Sequence, residues 1–230
     1  MYIMGLQKTT LLDYPGMLAA TIFLGGCNFL CPYCHNSDLI FRPASLYSEE
    51  QIFAFLKKRK GVLQGVCITG GEPTLSSDLI GFISKIKDLT YKVKLDTNGT
   101  NPDTLRYLVE NELIDYVAMD LKTTPSNYPS YFINKSIDYS KIDNSINYLL
   151  SNVIPYEFRT TVVRELHPLV DLFEIAELVK EAPFYYIQNF ENGYNVIDKT
   201  LSGYSEEELD YIVSELKKIN PHVRKRGDYI

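Results

Sequence analysis

Short β-rich runs alternate with amphipathic stretches six times along the chain, and no other feature restricts the fold as much. The run LAATIFLGG (Leu18 to Gly26) reads as a strand, and Ser48 caps a helix to about Lys60, with Gln51 at capping-box spacing. GVCITGG (Gly65 to Gly71) is the second strand, with a helix from about Ser77 to Asp88. YKVKLDTNG (Tyr91 to Gly99) is the third, and Pro102 opens a helix to about Glu112. YVAMDLK (Tyr116 to Lys122) leads through a loop rich in Tyr, Ser, Pro and Asn to a helix from about Tyr139 to Leu150. YEFRTTVV (Tyr156 to Val163) with a helix from Val170 to Lys180 is the fifth unit. FYYIQNF (Phe184 to Phe190) with a helix from about Ser205 to Ile219 is the sixth. Six β-then-α units predict a mainly parallel sheet covered by helices. The pattern fits an open doubly wound sheet and an incomplete barrel equally. No repeat or linker divides the 230 residues, so one domain over 1–230 is expected.

Each polar cluster follows a strand: Gly25 to Asn36, Gly70 to Pro73, Asp96 to Gly99, and Asp120 to Lys122. Parallel α/β folds gather ligands at the carboxyl ends of their strands, so function belongs at that edge. A net charge of −6 argues against a general nucleic-acid or membrane-surface binder. No apolar run reaches about 18 residues, so no membrane span is expected. The N-terminal MYIMGLQKTTLLDYPG lacks a secretory signal, and a cytoplasmic protein with reduced thiols follows.

GGCNFLCPYCHN (Gly25 to Asn36) holds three of the four cysteines, spaced C-x3-C-x2-C, with Tyr33 before the last. Zinc and iron–sulfur clusters usually take four protein ligands. A zinc site would have to recruit His35 or Cys67. His35 directly follows Cys34, and adjacent side chains rarely converge on one metal. Cys67 lies inside an apolar strand, where a small buried thiol is a common core residue. The most economical reading is a [4Fe–4S] cluster on Cys27, Cys31 and Cys34, with one iron left open.

At this point the sequence resembles the radical S-adenosylmethionine (SAM) enzymes. In that family SAM chelates the open iron, and one electron from the cluster cleaves it to a 5′-deoxyadenosyl radical. GGEP (Gly70, Gly71, Glu72, Pro73) resembles the family's methionine-binding strand end, where glycines let main chain approach a ligand and Glu72 offers a carboxylate to an ammonium. DTNG (Asp96 to Gly99) and MDLK (Met119 to Lys122) place two carboxylates and an ammonium at strand ends. By resemblance to the glycyl-radical-enzyme activases, Asp96 and Asp120 lie beside SAM with a monovalent cation between them. Lys122, Asn98 and Asn36 also bind SAM in that reading. Arg159 either faces the same centre or makes a structural ion pair. His167 either meets substrate or is a hydrogen-bonded loop residue, and Arg224 to Arg226 form either a docking patch or a solvated end.

The resemblance covers nearly the whole chain and is fullest to the activases of anaerobic ribonucleoside-triphosphate reductase. It is carried by LLDYPG (Leu11 to Gly16), TIFLGGCNFLCPYCHN, GGEPT, DTNG, MDLK, FRTTVV, YYIQNF and VRKRG (Val223 to Gly227). It implies a partial (β/α)6 TIM-like barrel, a glycyl radical enzyme as partner, and an electron donor such as flavodoxin or ferredoxin. The alternatives are an activase of another such enzyme, for example pyruvate formate-lyase, and a small radical SAM enzyme acting on a heterocycle. A non-catalytic iron–sulfur or zinc module is the reading of different class.

Overall fold

The computed structural model describes residues 1–41, 44–133 and 138–227. Its strands are β1 (Ile3–Thr10), β2 (Ala19–Leu24), β3 (Gly65–Gly70), β4 (Lys92–Thr97), β5 (Tyr116–Asp120), β6 (Tyr156–Val162), β7 (Tyr185–Asn189) and β8 (Val223–Lys225). Its helices are α1 (Ser37–Phe41), α2 (Glu49–Lys58), α3 (Leu79–Asp88), α4 (Pro102–Glu110), α5 (Tyr139–Leu150), α6 (Leu169–Leu178) and α7 (Glu206–Leu216). Strands are hydrogen-bonded in sequence order. All six expected β-then-α units are present, giving an α/β fold with a mainly parallel sheet. Sequence reading missed β1, β8 and α1. β1 carries mixed polarity and exposed Gln7, Lys8 and Thr9, and β8 is only three residues long, so neither has a clear period. Among the described residues no helix is long and apolar enough to cross a membrane.

The chain forms two compact units. The first comprises Met1–Asn28, Asp38–Thr97 and Asn101–Val117. Here β2, β3 and β4 run parallel, and β1 lies antiparallel on β2. The register aligns Ala20 with Val66 and Val66 with Val93, and likewise Ile22, Ile68 and Leu95. All six side chains are fully buried. Because successive strand residues face opposite sides, the intervening row Thr21, Cys67, Lys94 occupies the other face. The expected capping box starts α2: Ser48 Oγ accepts from the Gln51 N–H at 3.3 Å and Gln51 Oε1 accepts from the Ser48 N–H at 2.9 Å. Ile52 and Leu56 of α2, and Leu79, Phe82, Ile83 and Ile86 of α3, are the buried faces of those helices.

The second unit comprises Phe29–Ser37, Asn98–Thr100 and Ala118–Ile230. β6, β7 and β8 are parallel, with Phe158 opposite Tyr185 and Tyr185 opposite Val223. The N–H of Leu121, just past β5, donates to the Arg159 carbonyl of β6 at 2.8 Å. Ser205 and Glu208 make a second capping box at α7. The basic segment Arg224 to Arg226 is neither a loose tail nor a free patch. Lys225 pairs with Glu206 and Asp210, Arg226 with Glu157, and the Arg224 guanidinium lies over the Phe184 ring.

Asp115 fastens α3 to β4 in the first unit, binding Lys87 at 2.7 Å, Lys92 at 2.8 Å and the Val93 N–H at 2.8 Å. Partial burial opposes its ionisation, but those bonds outweigh it and hold its pKa below the usual value. A depressed folded pKa gives stability that is full above the unfolded value and lost as pH falls through the folded one. Asp115→Ala should cost about 1–3 kcal/mol at neutral pH, since the Val93 N–H loses its partner. Urea melts should show the gap between variant and wild type closing as pH drops below the ordinary aspartate value of 3.8.

Candidate functional site

In the first unit, two glycines let the ends of β2 and β3 meet main chain to main chain. Gly70 has φ +130°, and a Cβ on it would overlap the Leu24 backbone. A Cβ on Gly71 would overlap the Gly26 carbonyl and sit 3.2 Å from Cys27 Cβ. The Gly71 N–H donates to the Leu24 carbonyl at 2.9 Å and the Glu72 N–H to the Gly26 carbonyl at 2.8 Å. This approach fixes the backbone leading into Cys27.

Glu72 is buried and stands before a 3₁₀ turn over Pro73–Leu75, with Pro73 as its first residue. Its Oε1 accepts from the Thr74 N–H at 3.0 Å, Thr74 Oγ1 at 2.5 Å and Thr97 Oγ1 at 2.9 Å. It thereby ties the GGEPT turn to the end of β4. Asp96 pairs through Oδ1 with the ammonium of Lys94, and the same oxygen lies 3.7 Å from Cys67 Sγ.

In the second unit, Cys31 is buried and Cys34 half-buried; all four cysteines are free thiols. Burial pushes the Cys34 thiol up, against the Asn36 N–H and the charge of Lys122. The Asn36 residue is exposed, and His35 packs its ring against Phe190 with centroids 5.2 Å apart. The loop after β7 lies on the cysteine segment: the Asp198 N–H donates to the Pro32 carbonyl at 2.9 Å, and Ser37 Oγ donates to the Asn195 carbonyl at 2.6 Å. Asn98 is buried, and its Oδ1 accepts from the Thr100 N–H at 3.1 Å and Thr100 Oγ1 at 2.7 Å.

The end of β5 carries the densest charge. Asp120 accepts from Arg159 Nε at 2.8 Å and Lys122 Nζ at 3.0 Å. Burial opposes its ionisation, but the two cations outweigh it and hold the carboxyl far below the usual range. Burial likewise disfavours charged Lys122, and Asp120 and Cys31 reverse that, raising its pKa. The Lys122 backbone is clamped by three side chains. Its carbonyl accepts from Tyr33 Oη at 3.1 Å and lies 2.9 Å from His167 Nε2, and its N–H donates to Tyr128 Oη at 2.9 Å. His167 is fully buried, and its Nδ1 accepts the Val163 N–H at 3.0 Å. That bond leaves the proton on Nε2, so the ring donates to Lys122. His167 is therefore a hydrogen-bonded structural residue, and Arg159 is an ion-pair partner of Asp120.

The structure brings Asp120, Lys122 and Arg159 together in one unit, and Glu72 with the β4 end in the other. Among the described residues no three His, Cys, Asp or Glu side chains gather as they would around a single metal ion. Sequence reading missed Lys94, Thr97 and the Tyr33–Tyr128–His167 clamp. Lys94 was legible: it stands two residues before Asp96 in a strand, which puts both on one face. The clamp joins distant segments and left no local signal.

A model of the Radical SAM superfamily matches residues 21–182. A Methanocaldococcus jannaschii protein described as a glycyl-radical enzyme activating enzyme is 35% identical over 223 residues, 94% of this chain and 92% of its own. The 7-carboxy-7-deazaguanine synthase of Koribacter versatilis is 29% identical over 157 residues, 66% of this chain and 65% of its own. The solved structure of Streptococcus suis SuiB matches with TM-score 0.71 at 15% identity, covering 90% of this chain and 48% of SuiB. That likeness shows the fold alone, and the chain spans about half the length of SuiB.

Burial lowers the pKa of His167 against its bonds to Lys122 and Val163, so the fold holds it neutral. Protonation would put a hydrogen on Nδ1, facing the Val163 N–H. A folded pKa below the unfolded value means stability is lost as pH falls from about 6.5 towards it. His167→Gln should be less stable than wild type at pH about 7.5 and should show a flatter loss of melting temperature down to pH about 5.5.

Proposed function

The chain belongs to the radical SAM superfamily, and we propose that it forms the glycyl radical of a partner enzyme. The observation that carries this reading is 35% identity to an activating enzyme along nearly the full length of both chains. As a radical SAM enzyme it uses a [4Fe–4S] cluster and SAM, which when bound supply the one-electron chemistry that takes hydrogen from carbon. The residues present fit those groups. Cys27, Cys31 and Cys34 are free thiols in one short segment, and cysteine thiolates are the ordinary ligands of such clusters. A cuboidal cluster offers each thiolate a different iron, so the thiols need not converge on one point as zinc requires. Cys67 is fully buried in β3 and serves packing.

Gly70 and Gly71, lacking Cβ atoms, present bare main chain beside Cys27, with Glu72 and Pro73 shaping the turn that receives the methionine part of SAM. Asp96, Asn98, Asp120, Lys122 and Asn36 complete the SAM contacts. Arg159 keeps Asp120 ionised and oriented. The partner in this reading is anaerobic ribonucleoside-triphosphate reductase, supported by LLDYPG, FRTTVV, YYIQNF and VRKRG beyond the cofactor motifs. The electron donor is a flavodoxin or ferredoxin, the compartment the cytoplasm, and residues 1–230 act as one radical SAM domain.

The test is anaerobic reconstitution, reduction with dithionite, and measurement of 5′-deoxyadenosine and of the glycyl radical by electron paramagnetic resonance. A radical signal only with anaerobic ribonucleotide reductase supports the proposal. A signal only with pyruvate formate-lyase overturns the partner. SAM cleavage coupled to a deazapurine precursor with no protein radical would favour the kind of chemistry named for the Koribacter relative. Replacing Cys27, Cys31 or Cys34 by Ala should remove the cluster signal, whereas Cys67→Ala should retain cluster iron at a packing cost of about 1 kcal/mol. Loss of the cluster in Cys67→Ala, with the fold intact, would overturn the three-ligand assignment.

A further inference from the structure

The side chain of Lys94 is fully buried in the face that carries Thr21 and Cys67, an unusual place for an ammonium. Strand parity puts Asp96 on the same face, and the Lys94 ammonium is paired with Asp96 Oδ1. Cys67, opposite Lys94 in the β3–β4 register, lies with its sulfur 4.0 Å from the ammonium. A buried charge is costly to desolvate, and its removal from a buried pair leaves the other charge uncompensated. In the second unit, Asp120 is likewise already paired, with Lys122 and Arg159. At either carboxylate, taken in its own unit, a monovalent cation would have to compete with side-chain cations already bonded there. The residues present do not fit it.

We propose that Lys94 is a positioning residue that supplies the positive charge at Asp96 from within the chain, so that SAM binding here requires no monovalent cation. This rests on the reading that Asp96 lies beside SAM. The ammonium does for Asp96 what a bound ion would do: it sets a positive charge against Oδ1 and holds the carboxylate turned to one side. It differs in being covalently attached, so its local concentration does not depend on the medium. Replacing Lys94 by an apolar side chain takes the ammonium from the part-buried Asp96 carboxylate, and an added small cation can take up that position.

The experiment uses the full chain, reconstituted anaerobically, with SAM dissociation constants measured in potassium, sodium and choline chloride at equal ionic strength. Wild type should bind SAM within about twofold in all three salts, since no coupling to cation is built in. Lys94→Met should bind about tenfold or more weakly in choline and recover in potassium or sodium, and Lys94→Arg should remain salt-independent. A merely structural lysine would lose affinity equally in every salt, and that result overturns the proposal. So does a wild-type protein whose SAM affinity rises about tenfold on adding potassium, a measurement that stands even if Lys94→Met fails to fold. Wild type that binds no SAM in any salt overturns the functional reading itself and this inference with it, and is thereby distinguished from failure of the Lys94 role alone.

Discussion

The backbone carbonyl of Lys122, just past β5, is held by two side chains, Tyr33 Oη and His167 Nε2. A strand end leaves main-chain groups that must find partners, and here side chains from three other segments provide them. Tyr33 sits between Cys31 and Cys34, Tyr128 in the loop after β5, and His167 in the loop after β6. The two main-chain groups of one residue therefore set the cysteine segment, the end of β5 and the β6–α6 loop in a common frame. Tyr33 and His167 also meet edge to face, with centroids 5.7 Å apart, so the two donors support each other. The cysteine segment is tied again by the Leu30 N–H on the Tyr131 carbonyl at 2.8 Å and by Phe29 against Tyr128 and Phe132. Cys31 and Cys34, the two thiols of this unit, gain fixed positions because their segment is bonded on both sides.

The first unit solves a different problem with main chain instead of side chain. Gly70 and Gly71 bring β3 against Leu24 and Gly26 so closely that no Cβ fits, and the two backbone bonds made there continue the ladder past its regular end. Glu72 then caps the following turn and reaches Thr97. Its carboxylate is thus committed to geometry: three hydrogen bonds on one oxygen hold the turn without a ligand. A preset turn loses little conformational freedom when something binds to its exposed backbone.

Much of the fold was legible because parallel strands buried on both sides read as continuous apolar runs bounded by glycine and polar residues. The helix starting after Ser48 was readable to its capping box, and Tyr139–Leu150 to its ends. β1 and β8 were not, since both are strands defined by pairing with a neighbour and not by their own periodicity. At the candidate site the motif residues were legible by type and position. Their partners were not: that Arg159 would turn to Asp120, that His167 would brace a carbonyl, and that Lys225 would spend its charge on Glu206 and Asp210 depend on contacts over 15 to 45 residues of chain. Sequence shows which groups are available; only the fold shows which are already engaged.

That engagement bears on how a charged ligand would be received. Asp120 carries two cations, Arg159 lies 4.0 Å from Glu157, and Glu157 pairs with Arg226, so the charges near β5 and β6 form a chain of alternating sign. In such a chain the charges already hold one another in place, so a zwitterion's own charges enter an environment whose dipoles are already oriented. A lone carboxylate in the same place would have to shed its own water and turn first. Two neighbouring cations outweigh the burial of Asp120 and hold its carboxyl far below the usual carboxylate range. Of the three side chains that hold the Lys122 backbone, His167 is the one whose ordinary pKa lies close to neutrality, and its burial lowers that pKa.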